Sequence, residues 1–212
     1  MNRTSYISSS CHITERAILL DGNILFKNTS SDFTAFMKSA YKHFEIDYPK
    51  FFKMDRLSKL AFLAAEVLLG HPNTFKAMPA DGHENQNMAV ILSNRASSLD
   101  TDRKYQESIS DLHNFYPSPA VFVYTLPNIC IGEISIRHKL RSENSFFIFD
   151  AFNPGCLRDY SESLLQTDKA DEVLCGWVDV DNDSYGAFLY LVSPTGSRSH
   201  TEQELTKLYS TP

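Results

Sequence analysis

The stretch FIFDAFNPGC spans residues 147–156. An apolar run from Phe146 to Phe149 leads into Asp150, and Asn153-Pro154 follows two residues later. The run SFFIF (145–149) reads as a buried strand. Asn at the N-cap and Pro in the first turn then open a helix reaching about Gln166. Such strand-to-helix elbows often present a nucleophile. Cys156 would be the third residue of that helix, where the N-terminal dipole favours a thiolate. Against this, no base stands beside it in sequence, and a small half-buried residue in a first turn is the plainer reading.

Upstream, residues 5–27 read as short strands, with Asp21-Gly22-Asn23 as a turn. Phe33, Phe36, Met37, Tyr41 and Phe44 suggest a helix within 31–48. The segment MDRLSKLAFLAAEVLLG is the clearest helix, with Leu57, Leu60, Ala61, Ala64, Val67 and Leu68 as one wide apolar stripe. Gly70 suits the position past its end and Pro72 blocks continuation. Residues 71–87 form a loop, MAVILS a short buried strand, and a polar helix follows around 100–112. Residues 116–140 stay open: their β-branched residues favour strand, while Ile129, Gly132, Ile136 and Leu140 fit one helix face. Downstream, DEVLCGWVDV and YGAFLYLVS are strands joined by the turn DNDS, and Thr201 with Glu204 suggests a capping box on a last helix. Together these elements predict an α/β layered domain with a mixed sheet.

The 212 residues are 42% hydrophobic, enough for a substantial core. A formal charge of -6 and a pI near 5.6 give no basic face for nucleic acid. Cys11, Cys130, Cys156 and Cys175 are widely spaced and read as reduced thiols of a cytoplasmic protein. No segment suggests a signal peptide or approaches a membrane span of roughly 20 apolar residues. Residues 179–186, DVDNDSYG, have Asp spacing like a calcium loop, but Ser184 and Tyr190 stand where such a loop needs Gly and Glu. A polar hairpin turn explains them better, and no metal or cofactor is expected.

The order of segments resembles the N-terminal half of the β-ketoacyl-acyl-carrier-protein synthases. The resemblance rests on Lys53-Met54-Asp55, Pro127-Asn128, Ser135-Ile136-Arg137, Leu140-Arg141-Ser142-Glu143-Asn144, and Ala170-Asp171 with Gly176. It implies a thiolase-like fold, with residues 1–212 as one domain equivalent to half of a ketosynthase. It also implies an acyl carrier protein and a full-length ketosynthase as partners.

Two departures shape the expected function. Anchoring on Gly155 puts Phe152 where the family carries its cysteine, counting forward from Asn144 puts Ala151 or Phe152 there, and neither side chain can form a thioester. The resemblance also stops before the half that bears the family's two histidines. His12, His43, His71, His83, His113, His138 and His200 all fall in the other half. Condensation needs a nucleophile and enolate stabilisers together. The expectation is therefore a non-condensing, chain-length-factor-like subunit of fatty-acid, polyketide or polyene biosynthesis. The alternatives are an acyl-thioester hydrolase or acyltransferase using Cys156, or a carrier-binding scaffold. Arg137, His138, Lys139 and Arg141 are the carrier-binding residues to examine, against the plainer role of cations at a helix C-terminus. The helix after the elbow carries Arg158, Asp159, Ser161 and Glu162 opposite Leu157, Tyr160, Leu164 and Leu165. It should therefore keep a polar face in solvent.

Overall fold

β1 (Tyr6–Ile13), β2 (Ala17–Leu20) and β3 (Asn23–Lys27) form an antiparallel meander. At the expected turn, Asp21 (φ 50°) and Gly22 (φ 80°) are both left-handed, a pairing that suits a two-residue hairpin. The computed structural model describes residues 4–28, 32–70, 87–111, 113 and 115–211. Asp32 caps α1 (Phe33–His43) by accepting from the Ala35 N–H at 2.6 Å.

The long apolar helix is α2 (Arg56–Gly70). It buries more than one stripe: Phe62, Leu63, Ala65 and Leu69 are also inside. A helix apolar on nearly all sides lies within a core rather than upon it. Gly70, expected just past the end, is the last helical residue. Pro72 and nearly all of the expected loop lie outside the described residues. β4 (Met88–Asn94) is wholly buried, and α3 (Leu99–Ile109) is the expected polar helix.

The open segment 116–140 is helical. It forms α4 (Pro119–Phe122), a 3-10 turn over Val123–Thr125, and α5 (Ile129–His138). Ser118 caps α4 by accepting the Val121 N–H, with Pro119 in the first turn. The buried face also differs from expectation. Cys130, Ile131, Glu133 and Ile134 point inward, whereas Ile136 is 63% exposed. Periodicity missed this face because it carries a carboxylate. Glu133 is buried with Tyr124 Oη at 3.1 Å and Lys50 Nζ at 2.9 Å.

β5 (Asn144–Ile148), α6 (Pro154–Gln166), β6 (Glu172–Asp181), β7 (Ser184–Ser193), β8 (Arg198–Ser199) and α7 (Glu202–Ser210) complete the chain. The sheet order is β3-β2-β1-β7-β6-β4-β5, with β8 beside β1. β6, β4 and β5 are parallel to one another, and the other pairings are antiparallel. β5, expected to be a buried strand, is instead the half-exposed edge of the sheet.

The two parallel crossovers run in opposite directions, from β4 out to β5 and from β5 back to β6. Such crossovers are right-handed almost without exception, so their helices fall on opposite faces. α1, α2 and α5 join one apolar core, and α6 with α7 joins the other. Gly176 marks how tightly the sheet is built. A Cβ there would sit 2.2 Å from the Phe188 carbonyl oxygen. The fold is the expected α/β arrangement, a layered mixed sheet with helices.

Candidate functional site

The parallel strands β4 and β5 end together at Asn94 and Ile148, and the elbow leaves this end. The Phe149 N–H makes a last ladder bond to the Asn94 carbonyl at 2.9 Å. The chain then bends through Asp150, Ala151 and Phe152. Asn153 Oδ1 accepts the Cys156 N–H at 3.0 Å, with Pro154 in the first turn, so the helix start is the expected one. The outer side of the elbow is an open cleft of about 540 Å³, lined by Arg95 and residues 148–154.

Phe152, at the tip, turns inward over the sheet. Its ring stacks on Tyr209 at 4.4 Å and meets Phe188 edge-on at 5.6 Å and Trp177 at 6.4 Å. Aromatic packing therefore fills the tip of the elbow. Cys156 lies about one helical turn further on and is half-buried.

The imidazoles of this core serve other neighbours. His12 stacks on Phe188 at 4.5 Å. His200 Nδ1 faces Ser5 Oγ at 3.1 Å and Glu162 Oε1 at 3.6 Å. Burial lowers both rings from 6.5 to about 4, so both are neutral at neutral pH. Neither then supplies an imidazolium to hold a thiolate. Cys11, Cys130 and Cys175 are fully buried, and desolvation pushes their thiols up, Cys175 to about 12. They stay protonated.

The basic residues at the end of α5 sit at the opposite end of β5 from the elbow. Arg137 grips Glu66 with Nε and Nη2, both at 3.0 Å, and lies 5.4 Å over the Tyr48 ring. His138 Nε2 is 2.9 Å from the same carboxylate. Burial would raise the Glu66 pKa, but its bonds to His138 and Arg137 prevail and lower it. Lys139 takes the left-handed position (φ 55°) that ends the helix. Arg141 belongs to a separate shallow cleft with Asn87, Glu143 and Lys169. Arg137 and His138 thus share one carboxylate, while Arg141 lines a separate cleft.

The acidic loop is the polar hairpin expected. Asp179 Oδ1 accepts the N–H groups of Arg95 and Ala96, and Asp181 pairs with Arg103 at 2.8 Å. Among the described residues no group of three His, Cys, Asp or Glu could hold a metal. No single described helix is long and apolar enough to cross a membrane. His71 and His83 lie outside the described residues. The sequence reading missed Tyr209, whose only signal was an aromatic on the inner face of the last helix.

No protein-family model and no curated protein matches the sequence. Solved structures do match in fold. A ketosynthase/chain length factor of ishigamide superposes with a TM-score of 0.62 at 18% identity, over 92% of this chain and 64% of that one. A structure of a ketosynthase in complex with its chain length factor, from Xenorhabdus doucetiae, gives 0.60 at 15%, over 98% and 90%. The fold is that of the ketosynthases. A β-ketoacyl synthase from Burkholderia phymatum STM815 gives 0.55 at 12%, over 99% of this ketosynthase-like chain and 62% of its own. The chain thus spans less than two thirds of the ishigamide and Burkholderia proteins and nine tenths of the matched Xenorhabdus chain.

Proposed function

We propose that residues 1–212 act as one half-ketosynthase unit, a non-condensing accessory subunit in fatty-acid, polyketide or polyene biosynthesis in the cytoplasm. The observation that carries this reading is the elbow. The strand, the bend, the Asn153 cap and the helix start are intact, but the tip is Phe152, locked against Tyr209 and Phe188. An elbow built this way can shape a wall or a tunnel for an acyl chain, and it offers no side chain able to form a thioester. The Xenorhabdus comparison supports the size of the unit: the matched chain of that ketosynthase–chain length factor complex is close to this one in length.

The partners that fit are a full-length ketosynthase, which would perform the bond formation, and an acyl carrier protein. Arg141 is the carrier-facing residue of choice, since Arg137 and His138 already hold Glu66. The purified chain is expected to show neither malonyl-thioester decarboxylation nor condensation, and to bind a ketosynthase made from a neighbouring gene. Turnover abolished by Cys156→Ala, or stoichiometric acylation of Cys156 by a thioester probe, would instead establish the hydrolase or acyltransferase reading.

A further inference from the structure

One edge of the sheet is open. Among the described residues, β5 has only β4 as a sheet neighbour. The Glu143 carbonyl accepts the Val90 N–H at 3.0 Å, and the Phe149 N–H donates to the Asn94 carbonyl at 2.9 Å. Backbone groups alternate sides along a strand, so the odd-numbered residues of 143–149 face β4. The N–H and C=O groups of Asn144, Phe146 and Ile148 therefore face away from the sheet.

Edges are usually blunted by charge or proline. Residues 144–149 read NSFFIF and hold neither, whereas the opposite edge, β3, ends on Lys27. Ile148 is 56% exposed, and Phe146 is half-buried against the core on the α5 side. The nearest helix on that face also leaves apolar surface uncovered. α2 lies over β7, β1 and β6, and α5 lies over β4. On α5, Ile136 and Gly132 are exposed, and nothing stands within 4 Å of where a Gly132 Cβ would be. A second chain can come close there.

The occupant that fits this edge is the same edge of another molecule. A two-fold axis at Phe146 runs two β5 strands antiparallel and gives every outward backbone group a match. Asn144 meets the partner's Ile148, Phe146 meets the partner's Phe146, and Ile148 meets the partner's Asn144. Each such pair exchanges two hydrogen bonds, a ladder of about six. The flanking charges agree with this direction. Arg141 precedes β5 and Asp150 follows it, both exposed. Antiparallel strands bring these opposite charges together at each end, while Glu143 is paired within its own chain to Lys169 at 3.1 Å. We propose that the chain forms a two-fold dimer through β5, which joins two sheets into one. Ile148 also lines the elbow cleft, so the second copy stands at the rim of that cleft. This inference does not rest on the function proposed above.

Light scattering on the full chain, over a wide range of concentration, is expected to give the mass of two chains, falling reversibly to one on dilution. Ile148→Lys sets a charge on the ladder and should weaken the dimer at least about tenfold. Ile24→Lys, at a residue of similar exposure on β3 (50%), should leave it intact. Asn144→Cys and Ile148→Cys chains, each also carrying Cys156→Ser, should be joined by a short bis-maleimide when mixed, and neither should be joined alone. A monomer at every concentration, a mass above two chains, a dimer indifferent to Ile148→Lys or lost with Ile24→Lys, or no cross-link in the mixture would overturn the pairing. A chain that stays monomeric alone and associates only with a ketosynthase would overturn it too. Where Ile148→Lys fails to fold, the wild-type mass and the cysteine mixture decide.

Discussion

At the residue scale, Phe152 pins α7 to the sheet. The phenyl ring joins rings from α7, β6 and β7 around one point. Phe152→Ala should therefore destabilise the fold by about 2 kcal/mol, less than a fully buried phenylalanine because the ring is only half-buried. Urea unfolding followed by Trp177 emission checks this, and an unchanged midpoint would mean α7 docks without the ring. The helix start beside Phe152 was legible in sequence because Asn153 and Pro154 set it locally. The fate of Arg137 was not, because its partner Glu66 lies 71 residues away. A run of basic residues announces charge but not whether the fold has already neutralised it.

At the element scale, legibility follows locality. Asp32, Asn153 and Thr201 each cap the helix that follows through a side-chain oxygen. Capping involves residues three apart, so the sequence displays it directly. Asn153→Ala should cost about 1 kcal/mol, measured by the same unfolding assay. A loss of only a few tenths would mean that Pro154 and packing hold the helix start unaided. The α4–α5 region was illegible for the opposite reason. Its β-branched residues carry strand propensity, and the helix is decided by burial of Cys130, Ile131 and Ile134 together with the Glu133–Tyr124–Lys50 contacts. Propensity is a weak prior when tertiary contacts disagree. The expected polar face of α6 is present only in part: Asp159 is exposed and Arg158 and Glu162 half-buried, but Ser161 is buried, its hydroxyl donating to the Leu157 and Arg158 carbonyls.

At the scale of the whole molecule, two faces of one sheet carry cores of different character. The α2 face buries Ser58 and Glu133 among its apolar residues, whereas the α6–α7 side holds His12, Ser161 and His200 out of water. This has a pH signature. His12 and His200 are lowered by burial to about 4, while the unfolded chain protonates its histidines near 6.5. Between those values the unfolded state binds more protons, so stability falls as pH drops from 6.5 towards 4. The combined loss should be a few kcal/mol, since each tenfold weakening of proton binding corresponds to about 1.4 kcal/mol. Glu66, whose carboxyl is lowered, adds a loss in the same direction below its ordinary value of 4.5. Unfolding midpoints compared at pH 7 and pH 5 test the histidine part. Replacing His12 by Phe and His200 by Gln should flatten the dependence, and an unchanged slope would place its origin in other groups.

The pairing of β1 with β7 joins Tyr6 to Ser193, and it sets the order of events as the chain emerges from the ribosome. The first meander must wait for the last strands before its inner edge is covered. Until then β1 presents an open row of backbone donors and acceptors, the kind of edge that recruits other chains. Sheets closed by such distant partners form slowly. The interval between synthesis of the two strands is therefore when this protein is most exposed to misassembly.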